Sequence, residues 1–197
     1  MKKVKISVLV SGNGTNLQAL IDGTNDGSIP GAEVVLVISS RKDAYALTRA
    51  ERAGIKGVAI TKEDFPDGRV LADELLKALE EAKTDLVVTA GYMSVLHLDV
   101  IKKYLGRMIN IHPSLIPKYC GKGMYGLRVH KAVIEAKEKV SGATVHFVDV
   151  GDIDGGEIIL QREVPVFEGD DEHTLAERVH KVEHEILPEA VRRILSC

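Results

Sequence analysis

The chain has no tryptophan, and aromatic side chains make up only 4% of its 197 residues. Aromatic platforms that stack nucleic-acid bases are therefore not expected. Its two cysteines, Cys120 and Cys197, form neither a disulfide framework nor a metal-binding spacing, which favours a reducing compartment. Positive charge does not predominate, since 26 Lys and Arg stand against 29 Asp and Glu for a formal net charge of −3. This balance argues against binding to nucleic acid.

Long hydrophobic runs are also missing, and none approaches the length of a membrane span. Basic residues precede an apolar run at the start of the chain, but that run breaks at Ser-Gly-Asn-Gly instead of continuing as a signal peptide would. What the chain does have is 45% apolar residues, enough for a full core, and 28% charged residues, enough for a soluble surface. The composition therefore predicts a cytoplasmic protein whose partners include neither membranes nor nucleic acids.

Apolar runs alternate with segments of helical periodicity over the first 113 residues. The runs predict strands at 4–10, 33–38, 57–60, 86–89 and 108–111. Each run is continuous rather than alternating, as in strands that are covered on both faces. The pattern therefore predicts an α/β fold, with an open, mostly parallel, Rossmann-like sheet and helices on both faces. Functional sites in such sheets lie beyond the carboxyl ends of the strands.

The pattern changes after residue 113, where a loop rich in glycine and proline leads to a predicted helix at 129–137. Segments 142–150 and 157–166 alternate apolar and polar residues and are joined by a short connection, which predicts an antiparallel C-terminal strand pair with a wetter face. An amphipathic helix is predicted at 170–187. No linker separates the halves, so we expect a single domain of residues 1–197, with a phosphate-binding parallel half at 1–113 and a second half at 114–197.

Asn110 and His112 lie at the end of the fifth predicted strand. Residues two apart on a strand point to the same face, and Pro113 cannot donate a ladder hydrogen bond, so the chain leaves the sheet just past His112. A neutral donor and a titratable imidazole held side by side suit a carbonyl oxygen that gains negative charge. The alternative is an ordinary strand end with two solvated polar residues, and the segment alone leaves both open.

The turn between the first strand and the first helix, which contains Gly12 and Gly14, is typical of an anion site. Backbone N–H groups converge on such a turn, and Thr15 and Asn16 add side-chain donors. Leu17 replaces the third glycine of a dinucleotide fingerprint, and the second strand lacks a terminal acid, so NAD is disfavoured. A single phosphate monoester fits better. The alternative is a glycine turn that only packs the helix against the strand.

Asp154 lies in a tight connection and is followed by two glycines, which let the backbone approach a ligand or a neighbouring loop. A carboxylate near His112 would raise the pKa of the imidazole and favour its charged form. Asp149 and Asp152 compete for this role. A turn aspartate that caps its own backbone is the simpler alternative.

Two further sets of polar residues carry weaker signals. His180 and His184 lie one helical turn apart beside Glu183, but no third ligand and no H-E-x-x-H order accompanies them, so no metal is predicted. Arg69 lies near a predicted helix start, where it either reaches an acidic ligand or is solvated.

Six stretches carry a family resemblance. They are Ser-Gly-Asn-Gly-Thr-Asn-Leu at 11–17, Ala-Gly-Tyr-Met at 90–93, Asn-Ile-His-Pro-Ser-Leu-Ile-Pro-Lys-Tyr at 110–119, Gly-Ala-Thr-Val-His-Phe-Val at 142–148, Asp-Gly-Gly at 154–156 and Glu-His at 183–184. With these stretches the sequence resembles the glycinamide ribonucleotide formyltransferases, a family of the folate-dependent formyltransferase superfamily. The Asn-x-His-Pro-Ser-Leu stretch and the Asp-Gly-Gly are specific to the superfamily, and the first stretch narrows it to this family.

The resemblance implies transfer of a formyl group from 10-formyltetrahydrofolate, as co-substrate, to the amine of a phosphoribosyl glycinamide in purine synthesis, without a metal. It implies that Asn110 and His112 stabilise the oxyanion, and that Asp154 keeps His112 protonated and relays protons through water. The ribonucleotide residues that it implies are Gly14, Thr15, Asn16 and Glu183. The implied folate residues are Arg69, Met93, Ser94, Val95, Leu96, Asn110 and Asp154. The chain is expected to be a monomer or a homodimer that acts on small molecules.

Three rival functions share parts of this pattern. A formyltetrahydrofolate deformylase uses the same trio of Asn110, His112 and Asp154 but carries an N-terminal regulatory domain, which we do not expect here. A methionyl-tRNA formyltransferase adds a C-terminal tRNA-binding domain, for which we see neither room nor a basic patch. A nucleotide-binding regulatory module would need only the phosphate loop, so the intact trio argues against it.

Overall fold

The computed structural model describes residues 2–151 and 154–196 of the chain. Its strands are β1 Val4–Val10, β2 Ala32–Ser39, β3 Lys56–Ala59, β4 Leu86–Thr89, β5 Met108–His112, β6 Val140–Phe147 and β7 Ile158–Pro165. Its helices are α1 Thr15–Asp26, α2 Tyr45–Arg52, α3 Gly68–Glu81, α4 Leu98–Lys103, α5 Leu127–Glu135 and α6 Glu172–Leu195.

Within the described residues the strands form one seven-stranded sheet in the order β3-β2-β1-β4-β5-β6-β7. Strands β1 to β5 pair in parallel, whereas β6 runs antiparallel to both β5 and β7. The chain order reverses between β1 and β4, which makes the space beyond their carboxyl ends the switch point of the sheet. The predicted α/β fold, with a mostly parallel sheet and an antiparallel C-terminal pair, is confirmed.

Helices cover both faces of the sheet because the central strands carry apolar residues on both sides. Ile6 and Val8 of β1 join one hydrophobic cluster with residues of α1, α2, α5 and α6. Leu9, between Val8 and Val10, joins a second cluster that includes residues of α3 and α4. Successive strand residues thus pack on opposite faces, as the pleat requires.

The second half departs from the predicted pattern at two places. Strand β6 has no wet face, because it lies between β5 and β7 and residues 141–146 are all buried. Helix α6 does not end before Pro188 but continues to Leu195. Ala190 and Val191 are fully buried beyond the proline, so core packing outweighs the hydrogen bond that the proline removes.

Smaller shifts affect helix starts in the first half. Helix α3 begins after Asp67, whose carboxylate accepts the backbone N–H groups of Arg69 and Val70, so Pro66 lies outside the first turn in which it was predicted. Helix α4 begins at Leu98 rather than at residue 95. No helix in residues 2–151 and 154–196 combines the length and the apolar character that a membrane crossing needs.

Candidate functional site

A cavity of about 730 Å³ lies beyond the carboxyl ends of the parallel strands, at the switch point. Its lining includes Asn110 and His112 from the end of β5, and Asp154 from the connection after β6. Glu183 of α6 and Asn16 of α1 also line it. Polar residues that are far apart in the sequence therefore meet in one concave site, which is the kind of place where small molecules bind.

Asn110 is held from both sides by its neighbours in the sheet. The hydroxyl of Thr89 donates to its Oδ1 at 2.7 Å, and its Nδ2 lies 3.1 Å from Nε2 of His146. Nδ1 of His146 lies 2.9 Å from the carbonyl oxygen of Phe147 and must carry the proton there, because a carbonyl only accepts. A neutral His146 then accepts from the amide of Asn110, which fixes the orientation of that amide.

His112 is 4% exposed and is oriented by the loop that follows it. Its Nε2 lies 2.9 Å from the backbone carbonyl oxygen of Tyr119, so Nε2 carries a proton and Nδ1 is the nitrogen whose protonation can change. The hydroxyl of Tyr119 in turn donates to Oε1 of Glu138 at 3.0 Å, which ties this part of the loop to the start of β6. An imidazole with one nitrogen fixed in this way suits proton donation in one direction.

Asp154 is almost completely buried in the same cavity. Its Oδ2 accepts the backbone N–H of Gly121 at 2.7 Å, and its Oδ1 lies 3.7 Å from Nε2 of His146. The carboxylate therefore touches the loop that orients His112 and also the histidine that orients Asn110. A Cβ on Gly156 would overlap the carbonyl oxygen of Phe147, so the glycine allows the close backbone approach that was predicted.

Asp149 and Asp152 were the two aspartates that competed with Asp154 for the role beside His112. Asp149 is exposed, and its Oδ1 accepts the N–H of the next residue, Val150, at 2.6 Å. Asp149 therefore has the role of a turn aspartate that caps its own backbone, which was considered from the sequence for Asp154. Asp152 lies outside the described residues.

The glycine turn after β1 is packed tightly against α2. Gly14 has φ +74° and precedes α1, and a Cβ there would lie 2.7 Å from Cβ of Ala46. The guanidinium of Arg49 holds the turn from behind by donating to the carbonyl oxygen of Asn13 at 2.8 Å and to its Oδ1 at 3.0 Å. In the described part of the chain no side chain caps α1, so the N–H groups around Thr15 stay open to an anion.

Glu183 joins the glycine turn to the last helix. Its Oε2 accepts from Nδ2 of Asn16 at 3.1 Å and lies 3.8 Å from Nε2 of His180. Burial raises the pKa of the Glu183 carboxyl, while His180, the Asn16 hydrogen bond and His112 act in the opposite direction. A buried carboxylate in this position is a strong acceptor for hydroxyl groups of a ligand.

The mouth of the cavity near β4 is more open and more apolar. Residues 93–96 line it, and the backbone N–H of Met93 donates to Oγ of Ser11 at 2.7 Å. The side chains of Met93 and Val95 are 52% and 72% exposed, whereas Leu96 is buried. Arg69, at the start of α3, is exposed and is not among the residues that line the cavity.

Sequence reasoning missed several residues that build the site, namely Thr89, Arg49, Tyr119 and His146. His146 faces Asn110 in the register of β5 with β6, but that register follows from tertiary pairing and has no local sequence signal. A deliberate search for polar residues inside apolar strand runs would have found Thr89 and His146. Among the described residues no group of three or more His, Cys, Asp or Glu could hold a metal ion.

Comparisons with known proteins point to one family. Residues 4–191 match the family model described as formyl transferase. The chain is similar, at 46% identity over 99% of its length, to the trifunctional purine biosynthetic protein adenosine-3 of Drosophila melanogaster, but it spans only 14% of that protein. It is also similar, at 39% identity, to phosphoribosylglycinamide formyltransferase of Haemophilus influenzae, with 95% of this chain and 85% of the relative covered. Among solved structures, glycinamide ribonucleotide transformylase 1 from Symbiobacterium toebii aligns with a TM-score of 0.90 at 42% identity, over 96% of this chain and 86% of that one.

Proposed function

Because the chain belongs to the formyl transferase family, and within it to the phosphoribosylglycinamide formyltransferases, we propose that it transfers the formyl group of 10-formyltetrahydrofolate to the amine of N1-(5-phospho-D-ribosyl)glycinamide. The products are the N-formyl ribonucleotide and tetrahydrofolate, in the de novo synthesis of purines. The observation that supports this best is the meeting of Asn110, His112 and Asp154 in one cavity that extends to Glu183.

The proposed reaction is an acyl transfer through a tetrahedral intermediate. The amine nitrogen bonds to the formyl carbon, and the electron pair of the carbonyl bond moves to the oxygen. The bond from N10 of the folate to that carbon then breaks, and the proton that the amine loses ends on N10. The negative oxygen of the intermediate needs fixed donors in a site that excludes water.

Asn110 and His112 supply those donors in the proposed mechanism. The amide of Asn110 is fixed by Thr89 and His146, so it can donate without reorganising. His112 donates from Nδ1 when charged, because Nε2 is engaged with the carbonyl of Tyr119. Two preorganised donors of this kind favour the intermediate over the planar formyl group.

Asp154 acts as the partner that favours a positive charge in the site and passes protons through water. Its buried carboxylate lies beside His146 and is held by the N–H of Gly121, in the cavity that His112 also lines. A negative charge there favours the protonated form of an imidazole in the same low-dielectric site. The proton that leaves the amine can reach N10 of the folate through the same water.

Binding residues divide the cavity into two ends in this proposal. Gly14, Thr15 and Asn16 hold the phosphate, and Glu183 accepts from the ribose hydroxyls. The folate lies against a set that comprises Met93, Ser94, Val95 and Leu96, together with Asn110 and Asp154. Arg69 approaches the acidic tail of the folate.

We further propose a cytoplasmic, monomeric or homodimeric enzyme without a metal, with residues 1–113 as its phosphate-binding half and 114–197 as its folate-site half.

A spectrophotometric assay of the folate product separates this function from its rivals. With both substrates present, tetrahydrofolate should form together with the N-formyl ribonucleotide, and omission of the ribonucleotide should abolish product formation. Product formed at the same rate without ribonucleotide would identify a deformylase instead. Binding of the ribonucleotide without any turnover would identify a regulatory module.

A further inference from the structure

One buried imidazole in the cavity has no part in the contacts described so far. His130 of α5 is 1% exposed and lines the same cavity as His112. Its Nδ1 has no hydrogen-bond partner among residues 2–151 and 154–196. Buried polar atoms in native proteins are rarely left unpaired, because losing the bonds to water costs free energy that nothing else restores. An unpaired atom at the wall of a cavity is therefore open to a hydrogen bond from a ligand.

The neighbours of His130 locate it within the site. Its ring meets that of His180 edge to face, with 6.5 Å between centroids and 84° between planes. His180 is in turn 3.8 Å from the carboxylate of Glu183. His130 and His112 line the same cavity. His130 therefore lies on the cavity wall beside α6, the helix that carries Glu183, to which we assign the ribose.

The environment of His130 keeps its ring uncharged. Burial, together with the smaller effects of the nearby His180 and His112, lowers the pKa of His130 to about 4. A neutral imidazole has one nitrogen that donates and one that accepts. It can therefore bond to an uncharged amide without adding a second positive charge beside the reacting amine.

We propose that His130 is a further substrate-binding residue, whose neutral ring hydrogen-bonds the glycinamide group of the ribonucleotide between ribose and amine. This proposal rests on the proposed function. The phosphate calls for the N–H groups around Gly14, and the ribose hydroxyls suit the buried carboxyl group of Glu183. The amide link offers both an N–H and a carbonyl, and either of them can pair with Nδ1 according to the tautomer of the neutral ring. A site built in this way discriminates against substrates that lack the amide, because they leave the buried nitrogen unpaired.

Two substitutions of His130 test this contact. His130→Leu has nearly the same volume but removes both polar atoms, so the KM for the ribonucleotide should rise about tenfold or more, while the KM for the folate stays within about twofold. His130→Asn retains an amide near the position of Nδ1, so it should stay within about threefold of the wild-type KM. The Tm of the ligand-free His130→Leu protein should be equal to or above that of the wild type, since a leucine has no unpaired atom.

Control variants distinguish a substrate-binding role of His130 from a structural one. His173→Leu replaces an exposed histidine in the first turn of α6 and should change neither KM. An unchanged ribonucleotide KM in both His130 variants, with a lowered Tm, would assign His130 a purely structural role and overturn the proposal. If His130→Leu does not fold, His130→Gln takes its place. The amide of glutamine lies near the position of Nε2 and not of Nδ1, so the ribonucleotide KM of this variant should stay raised. Failure of the proposed function itself would be distinct, as the wild-type chain would then transfer no formyl group.

Discussion

The two ends of the cavity are built in different ways. At the end that we propose for the ribonucleotide, Asn16 and Glu183 are bonded to each other on two packed helices, and Gly14, in the turn before Asn16, is packed against Ala46. At the folate end, the lining comes from loops, and Met93 and Val95 are more than half exposed. The first end therefore has a fixed polar shape before any ligand arrives, whereas the second offers apolar surface that a large ligand can cover.

The loop at residues 121–126, which also lines the cavity, contains three glycines with open space around them. Gly121, Gly123 and Gly126 all have positive φ values, and an added Cβ at any of them would meet no atom within 4 Å among the described residues. Gly14 has a positive φ as well but no room for a side chain. Glycines with similar φ values thus serve a close packing contact in the turn after β1 and a left-handed backbone in an open loop at 121–126.

The largest kinetic effect is expected for a change at His112, which we assign neither to the ribonucleotide end nor to the folate end. His112→Ala removes one of the two oxyanion donors, so kcat should fall by about 10³-fold, while the KM values for both substrates change by less than about threefold. Steady-state kinetics with each substrate varied in turn measure this, with His173→Ala as the control. A His112→Ala variant with a near-normal kcat would remove this histidine from the mechanism.

A smaller effect is expected at the rigid end. Gly14→Ala introduces a Cβ at 2.7 Å from that of Ala46 and forces a left-handed φ on alanine, so the turn must shift and the KM for the ribonucleotide should rise at least about tenfold. Gly27→Ala is a matched control, because Gly27 has φ +84° but open space around it, and it should lower only the Tm. If Gly14→Ala altered the folate KM alone, the phosphate would be assigned to the wrong end.

The smallest kinetic effect is expected at the open end of the cavity, which residues 93–96 line. Val95→Ala removes two methyl groups from a side chain that is 72% exposed, so the apolar area available to the folate falls slightly and its KM should rise about threefold or less. Val140→Ala, at the start of β6, is a control at a valine that is 42% exposed and lies outside this cavity. A change in the ribonucleotide KM for Val95→Ala would contradict the separation of the two ends.

The parts of the molecule that follow from local sequence were predictable. Continuous apolar runs identified every parallel strand, because most positions in these strands are apolar and two hydrophobic clusters cover the two faces of the sheet. The two-residue spacing of Asn110 and His112 placed both at the end of β5, and both line the cavity. The glycines after Asp154 marked a close backbone contact, which the packing of Gly156 on Phe147 confirms.

The remaining parts depend on tertiary packing. Thr89 and His146 orient Asn110 only because β4 and β6 flank β5, and strand order has no local signature. Arg49 reaches the glycine turn from a helix 36 residues later in the chain. Helix α6 passes Pro188 because the core beyond it buries Ala190, a gain that propensity alone does not contain.

The carbonyl of Tyr119 has a consequence for how this scaffold can change. Because it occupies one nitrogen of His112, the side of the ring that meets a reacting molecule is decided by seven residues of loop and not by the strand that carries the histidine. Insertions or deletions between positions 113 and 119 would turn the imidazole even if every cavity residue were kept. The length of that short span, more than its composition, therefore sets the orientation of the His112 ring in the cavity.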